Sequence, residues 1–177
     1  MTGRAVEREG RTLFERYLKS LGWLYEFIDA DEPDGLALQM RGVDYILDGP
    51  SVKGIELELK TEQKFTGNLF LESWADAWNA EPGWLLTINP DILACLFLDV
   101  NKLFLMNFAD LKGWYFGSGR FVSAKRVRVN AHPTGRYTIG HLVRIPEVAR
   151  NIDIIEIDLH APLDHKKAIE SLIHHDG

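Results

Sequence analysis

The sequence predicts an α/β protein in which helices flank a central mixed β-sheet. Two observations support this class: an amphipathic helix lies at each end of the chain, and a long run of short apolar strands lies between them. The 177 residues contain no internal repeat and no long Gly/Ser/Pro-rich linker. We therefore expect one domain over residues 1–177.

The first helix is predicted over residues 4–22. Its apolar side chains recur at helical spacing, and Gly22 is the predicted stop. The next residues, 23–28 ("WLYEFI"), are aromatic and β-branched in character, which favours a strand. The polar stretch that follows, "DADEPDG", has the composition of a loop that contains turns.

A β-hairpin is predicted next, with strands at 42–47 ("GVDYIL") and 54–60 ("GIELELK"). Successive side chains of a strand point to opposite faces. One face of the second strand is therefore charged, with Glu56, Glu58 and Lys60, while the alternate residues are apolar.

The remaining elements follow the same reasoning. Further strands are predicted at 68–72, 83–88, 93–98, 102–108, 125–130, 136–145 and 152–159. Residues 109–114 are typical of a short helical turn. A closing helix is predicted over 162–175, with Pro162 near its first turn. Most of the strands are expected to pair antiparallel.

Charge is unevenly distributed along the chain. The net charge of −6 argues against a general nucleic-acid binder, which is usually basic. The segment 119–146, however, contains six Lys or Arg residues and no Asp or Glu, so this basic β segment can hold a phosphate backbone locally. A solvated basic strand is the alternative interpretation. The candidate nucleic-acid contacts are Lys64, Lys125, Arg126, Arg128 and Arg136.

Other classes are disfavoured by composition. No stretch reaches the roughly 18 apolar residues of a membrane span, and the charged start predicts no signal peptide. Cys95 is the single cysteine, which excludes a disulfide framework and a thiolate zinc site. A reducing, cytoplasmic setting is consistent with this usage.

Asp44 points to a metal site. It lies in an apolar strand, where an ionised carboxylate is costly unless it is paired. The hairpin turns back so that Asp44 comes near Glu58 and Lys60. Two converging carboxylates repel each other, and a hard cation such as Mg²⁺ relieves that repulsion. Lys60 can then orient the attacking water and offset phosphate charge.

Asp44 followed by Glu58-Leu59-Lys60 at the end of a hairpin resembles the core of the PD-(D/E)xK nucleases. The segments "YLKSLGW" and "TGNLFLE" are similar to a small, phage-type subgroup of that family. The resemblance covers about residues 4–110 and implies a restriction-endonuclease-like fold.

The resemblance also implies a function. It implies a Mg²⁺-dependent endodeoxyribonuclease, with Mn²⁺ as an alternative cation, which cuts DNA to leave a 5′-phosphate. Asp44, Glu58 and the carbonyl of Leu59 would hold the metal, and Lys60 would assist the water. The implied partners are DNA and a second copy of the chain, in the cytoplasm of a bacterium or a phage-infected cell.

Two departures from the family pattern concern the site. Val43 stands where the family name has proline, a position that does no chemistry. Many members also place a glutamate on the first helix. Glu7 and Glu15 lie one turn to either side of Arg11, and Glu7 is the preferred candidate because it borders the apolar face.

Two other classes of protein remain as alternatives. The first is a catalytically silent nucleic-acid-binding or assembly protein that retains the nuclease fold. The second is a structural or inhibitor protein with an ordinary amphipathic sheet. The second predicts an exposed Asp44 more than about 8 Å from Glu58, too far for shared metal ligation.

Overall fold

A computed structural model describes residues 3–29, 31–32, 35–117, 125–130, 137–161 and 166–173, with the backbone alone described for 125–130. It confirms the α/β class, since helices flank a mixed six-stranded sheet. Within the described residues, no helix is long and apolar enough to cross a membrane.

The bounds of the elements are as follows. The helices are α1 (Gly3–Leu21), α2 (Gly35–Met40), α3 (Trp84–Thr87), α4 (Phe108–Gly117), α5 (Ile145–Val148) and α6 (Lys166–Ser171). The strands are β1 (Leu24–Phe27), β2 (Tyr45–Asp48), β3 (Ile55–Glu62), β4 (Asn68–Asp76), β5 (Glu81–Pro82), β6 (Ile92–Phe97), β7 (Lys102–Asn107), β8 (Lys125–Asn130), β9 (Tyr137–Arg144) and β10 (Ile154–Asp158).

The main sheet has the strand order β1-β2-β3-β6-β7-β10. Its neighbours pair antiparallel except for β3 and β6, which are parallel. The parallel register sets Glu58 beside Leu93 and Lys60 beside Cys95. A second sheet, β5-β4-β9-β8, is antiparallel throughout. The predicted hairpin is therefore the β2–β3 pair, near the centre of the main sheet.

The main sheet is covered on both faces. On one face, α1 and α6 pack on the odd-numbered residues of β3, with Phe14, Leu57 and Ile169 in one buried cluster. On the other face, α4 and the second sheet pack on β6 and β7, with Phe108 and Leu71 in a second cluster. The even-numbered residues of β3 face this second side.

A close contact fixes α1 against β3. A Cβ atom at Gly10 would lie 2.2 Å from Oγ1 of Thr61, so only glycine permits the observed approach. The helix ends at Gly22, whose φ of +69° is a conformation that glycine adopts readily. The N-terminal turns of α1 therefore lie beside the C-terminal half of β3.

The structure corrects several sequence predictions. Residues 83–88 were expected to form a strand, but they contain the short helix α3. The helix α2 lies where no element was predicted, and β2 begins at Tyr45 rather than at residue 42. The closing helix is described over Lys166–Ser171, while Pro162 lies outside the described residues.

Candidate functional site

The β2–β3 hairpin brings Asp44 and Glu58 together. Asp44 immediately precedes β2, and its amide donates to the carbonyl of Leu57 at 2.9 Å. Its carboxylate Oδ2 accepts a hydrogen bond from the amide of Leu59 at 2.9 Å. The carboxyl groups of Asp44 and Glu58 are themselves within hydrogen-bonding reach of each other. The wide separation expected for an ordinary amphipathic sheet is not observed.

Lys60 completes this group of charges. Its ammonium forms an ion pair with Oε1 of Glu58. Glu58 is buried at 6% exposure, whereas Lys60 retains about a third of its side-chain exposure. The Lys60 Nζ also lies 5.6 Å from the ring centroid of Trp84. The lysine is thus held between a buried carboxylate and an aromatic ring.

Burial and charge perturb the titration of this group. Burial raises the pKa of Asp44 from its ordinary 3.8 to about 6, and the negative charge of Glu58 acts in the same direction. The Leu59 amide and Lys60 oppose that shift. Burial alone lowers the pKa of Lys60, but Glu58 and Asp44 outweigh it and leave that pKa above its ordinary value. Lys60 is therefore a cation at neutral pH.

These residues line an open groove of about 940 Å³ between α1 and the hairpin. Asp44, Glu58, Leu59 and Lys60 lie along one side, and Glu7 lies on the helical side. The structure thus brings the predicted helix glutamate to the same groove. In the part of the chain that is described, however, no three His, Cys, Asp or Glu side chains form a group able to hold a metal.

A second cavity of about 600 Å³ lies on the other side of Lys60. Trp84, Glu72 and Lys64 line it, and the Lys64 side chain is exposed to solvent. Glu72 Oε1 accepts a hydrogen bond from the amide of Trp84 at 3.2 Å, so Glu72 caps the start of α3. Burial raises the pKa of Cys95, which also lines the cavity, to about 12, so this thiol stays protonated at neutral pH.

Among the predicted nucleic-acid contacts, Lys64 is the one whose side chain the structure describes, and it does not line the groove. Lys64 belongs to the second cavity. Lys125, Arg126 and Arg128 lie in β8, at an edge of the second sheet, where only the backbone is described. Arg136 lies outside the described residues.

The charged face of β3 divides into two parts. Glu58 and Lys60 face each other at the groove, whereas Glu56 forms an ion pair with Arg41 at 2.6 Å. Arg41 keeps more than half of its side-chain exposure, so this second pair belongs to the surface. The pattern of alternating charges in β3 thus contains one buried group and one ordinary surface ion pair.

Three groove residues were missed by the sequence analysis. Arg4, Arg8 and Arg11 project from α1 into the groove and form a basic wall opposite the carboxylates. Their spacing of four and three residues is the signal that places them on one helical face. In the sequence this signal was obscured by the acidic residues interspersed among them.

Comparisons with models of protein families, with curated proteins and with solved structures gave no match to this chain. The chemistry of the site therefore provides the argument for function. A buried and a half-buried carboxylate, a neighbouring ammonium and an open groove form a group suited to a divalent cation and an anionic substrate.

Proposed function

We propose that this protein is a divalent-cation-dependent nuclease that hydrolyses phosphodiester bonds in DNA, on a restriction-endonuclease-like fold of the PD-(D/E)xK type. The observation that carries the proposal is the convergence of Asp44, Glu58 and Lys60 in an open groove. The sequence order Asp, then Glu-x-Lys, supports the same assignment.

The carboxylates fit a hard cation. Burial and the negative charge of Glu58 both raise the pKa of Asp44, so simultaneous ionisation of the two carboxyl groups is unfavourable. A divalent cation held by both would stabilise the doubly ionised form, and Mg²⁺ or Mn²⁺ accepts such oxygen ligands. The Leu59 carbonyl is the third protein ligand that we expect, since the Leu59 amide already faces Asp44.

The cation and the residues of the groove would have separate roles in hydrolysis. When bound, the cation supplies Lewis-acid polarisation of the phosphate and lowers the pKa of water. Lys60, held by Glu58, would orient the attacking water and place positive charge near the phosphoryl oxygens. Glu7 lines the same groove, and its carboxylate would accept a hydrogen bond from a water molecule in the groove. Cleavage would leave the phosphate on the 5′ end, as the family resemblance implies.

A catalytically silent DNA-binding or assembly protein on the same fold is the second candidate. One observation favours it: Glu7 lines the groove, but among the described residues no third acid lies close enough to Asp44 and Glu58 to form a metal-binding group of three. This candidate predicts DNA binding that is independent of divalent cations. A homodimer, and a location in the cytoplasm of a bacterium or phage-infected cell, belong to the nuclease proposal through the family resemblance alone.

The deciding experiment is a cleavage assay on supercoiled, linear and branched DNA with Mg²⁺, Mn²⁺ or EDTA. Lys60→Ala is the test variant. Lys102→Ala is its matched control, because Lys102 also pairs with a glutamate, Glu156, on the main sheet but lies outside the groove. Both variants remove one lysine from one ion pair.

We expect metal-dependent cleavage by the wild type, a loss of about a hundredfold or more in Lys60→Ala, and little change in Lys102→Ala. No cleavage of any DNA form with either cation would contradict the nuclease proposal. Equal DNA binding by the wild type and Lys60→Ala, together with that absence of cleavage, would favour the silent binding protein.

A further inference from the structure

The wall of the groove that α1 provides carries a net positive charge, because three arginines and one glutamate, Glu7, line it. Arg4, Arg8 and Arg11 all line it, opposite Asp44 and Glu58. The three arginines follow each other along one helical face. We call them the arginine row.

The positions of Arg4 and Arg8 are unfavourable for the stability of α1. Cations in the first turns of a helix face the positive end of the helix dipole, which is unfavourable. The first turn of α1 has no acidic residue to compensate. Arg4 and Arg8 are exposed and form no ion pair with any described residue. An anionic ligand would relieve this concentration of positive charge.

Arg11 is held differently from its neighbours. It donates to Glu15 at 2.9 Å, and its guanidinium lies 3.5 Å from the ring centroid of Phe27. Such contacts fix the direction of a guanidinium while leaving part of its edge available for hydrogen bonds. Arg11 therefore has a defined position at the inner end of the row, close to the hairpin.

The dimensions of the row suit a nucleic-acid strand. The seven residue steps from Arg4 to Arg11 span about 10 Å along the helix. This length corresponds to about three base-pair steps along the axis of B-DNA. Guanidinium groups also match the geometry of phosphate oxygens, which they can bind with two parallel hydrogen bonds.

We propose that the arginine row is a surface that binds the DNA backbone and leads one strand to the carboxylates. This inference rests on the proposed nuclease function, because it assigns the substrate to the same groove. Phosphates flanking the cut would contact Arg4, Arg8 and Arg11, while the cut phosphate would lie at Asp44, Glu58 and Lys60.

The test measures binding of a fluorescent DNA duplex over a range of KCl concentrations, with Ca²⁺ as the divalent cation. The test protein is the double variant Arg4→Ala/Arg8→Ala. The control is Arg16→Ala/Arg150→Ala, which removes the same charge from exposed arginines outside the groove. Thermal unfolding checks that both variants fold, since exposed substitutions of this kind affect stability little.

We expect the test variant to bind DNA roughly tenfold more weakly than the wild type at low salt. The slope of log K against log [KCl] should fall by about two, one for each phosphate that an arginine no longer neutralises. The control should keep the slope of the wild type. Equal slopes and affinities for the wild type and test variant would overturn the inference.

A cleavage assay separates this inference from the proposed function. Metal-dependent cleavage with the same KM and kcat in the wild type and test variant would overturn the arginine row and leave the nuclease standing. Absence of cleavage, with the slope reduced only in the test variant, would support the row as a DNA-binding surface and contradict the nuclease.

Discussion

Leu57 and Glu58 are neighbours in β3, and both are almost completely removed from water, at 1% and 6% exposure. Leu57 packs in the cluster beneath α1, and burying a side chain of this size contributes about 1.5–3 kcal/mol to the free energy of unfolding. Glu58 lies on the opposite face, beside another carboxyl group and an ammonium. Burying a charged carboxylate costs free energy, which the ion pair with Lys60 offsets.

The difference separates a residue whose burial stabilises the fold from one whose burial does not. Burial of Leu57 is explained by the stability that it provides. Burial of Glu58 next to Asp44 has no such explanation, because the two carboxylates raise each other's free energy when both are ionised. A group that the fold retains against its own stability is a candidate for ligand binding. The following predictions test this distinction between the two faces of β3.

The largest effect is expected for catalysis on the charged face. Glu58→Gln should reduce metal-dependent cleavage by about a thousandfold, equivalent to about 4 kcal/mol, because it removes a proposed metal ligand and the partner of Lys60. Glu56→Gln, on the same face of the same strand, should stay within about twofold of the wild type, since Glu56 pairs with Arg41 at the surface. Equal losses in the two variants, measured as kcat/KM, would remove the distinction between these glutamates.

Substitutions on the apolar face of β3 should change the stability of the protein rather than its activity. Leu57→Ala should lower the free energy of unfolding by about 2–5 kcal/mol, since it leaves a cavity in the cluster beneath α1. Urea unfolding followed by circular dichroism measures this change. Glu58→Gln should lower the free energy of unfolding by much less than Leu57→Ala does. A larger destabilisation by Glu58→Gln than by Leu57→Ala would mean that the buried carboxylate is a structural group.

The smallest effect is a gain in stability with a defined pH dependence. In the folded protein Asp44 has a pKa of about 6, above its ordinary 3.8. The folded state therefore holds this proton more tightly, and the ionised Asp44 destabilises the fold as pH rises from about 4 to 6. Asp44→Asn should remove that penalty and raise the free energy of unfolding at pH 7 by up to about 3 kcal/mol.

The pH dependence of unfolding distinguishes the removal of the Asp44 charge from a gain in stability that is independent of pH. Unfolding in EDTA should give equal stabilities for the wild type and Asp44→Asn near pH 4, with the difference increasing up to about pH 6 and constant above it. A difference that is already present at pH 4 would contradict the assigned pKa shift.

Local patterns predicted most of the main sheet. The helical spacing in 4–22 and the alternation in 54–60 each reflect a single buried face, and α1 and β3 lie within two residues of the predicted bounds. The hairpin was predictable as well, because a turn-rich segment separates its two strands. From these elements alone, the approach of Asp44 to Glu58 could be predicted.

Long-range contacts account for the errors. The strand expected at 83–88 is a short helix whose first amide is capped by Glu72, and a Cβ at Gly83 would lie 2.6 Å from the Glu72 carbonyl. An apolar run such as "GWLLTI" has no periodicity that distinguishes helix from strand.

The arginine row was missed for a related reason. Its spacing is visible in the sequence, but the surface that it faces depends on the contact between Gly10 and Thr61, which are far apart in the chain. Periodicity assigns residues to a face of their own helix, and only tertiary packing decides what lies opposite that face.

The most direct test of the central claim, that Asp44 and Glu58 share a divalent cation, is Mn²⁺ binding by isothermal titration calorimetry at pH 7. We predict that the wild type binds Mn²⁺ and that Asp44→Asn weakens binding at least tenfold. Glu156→Gln, which removes a surface carboxylate paired with Lys102, should bind as the wild type does. Equal Mn²⁺ affinity in the wild type and Asp44→Asn, or no binding by the wild type, would contradict the claim.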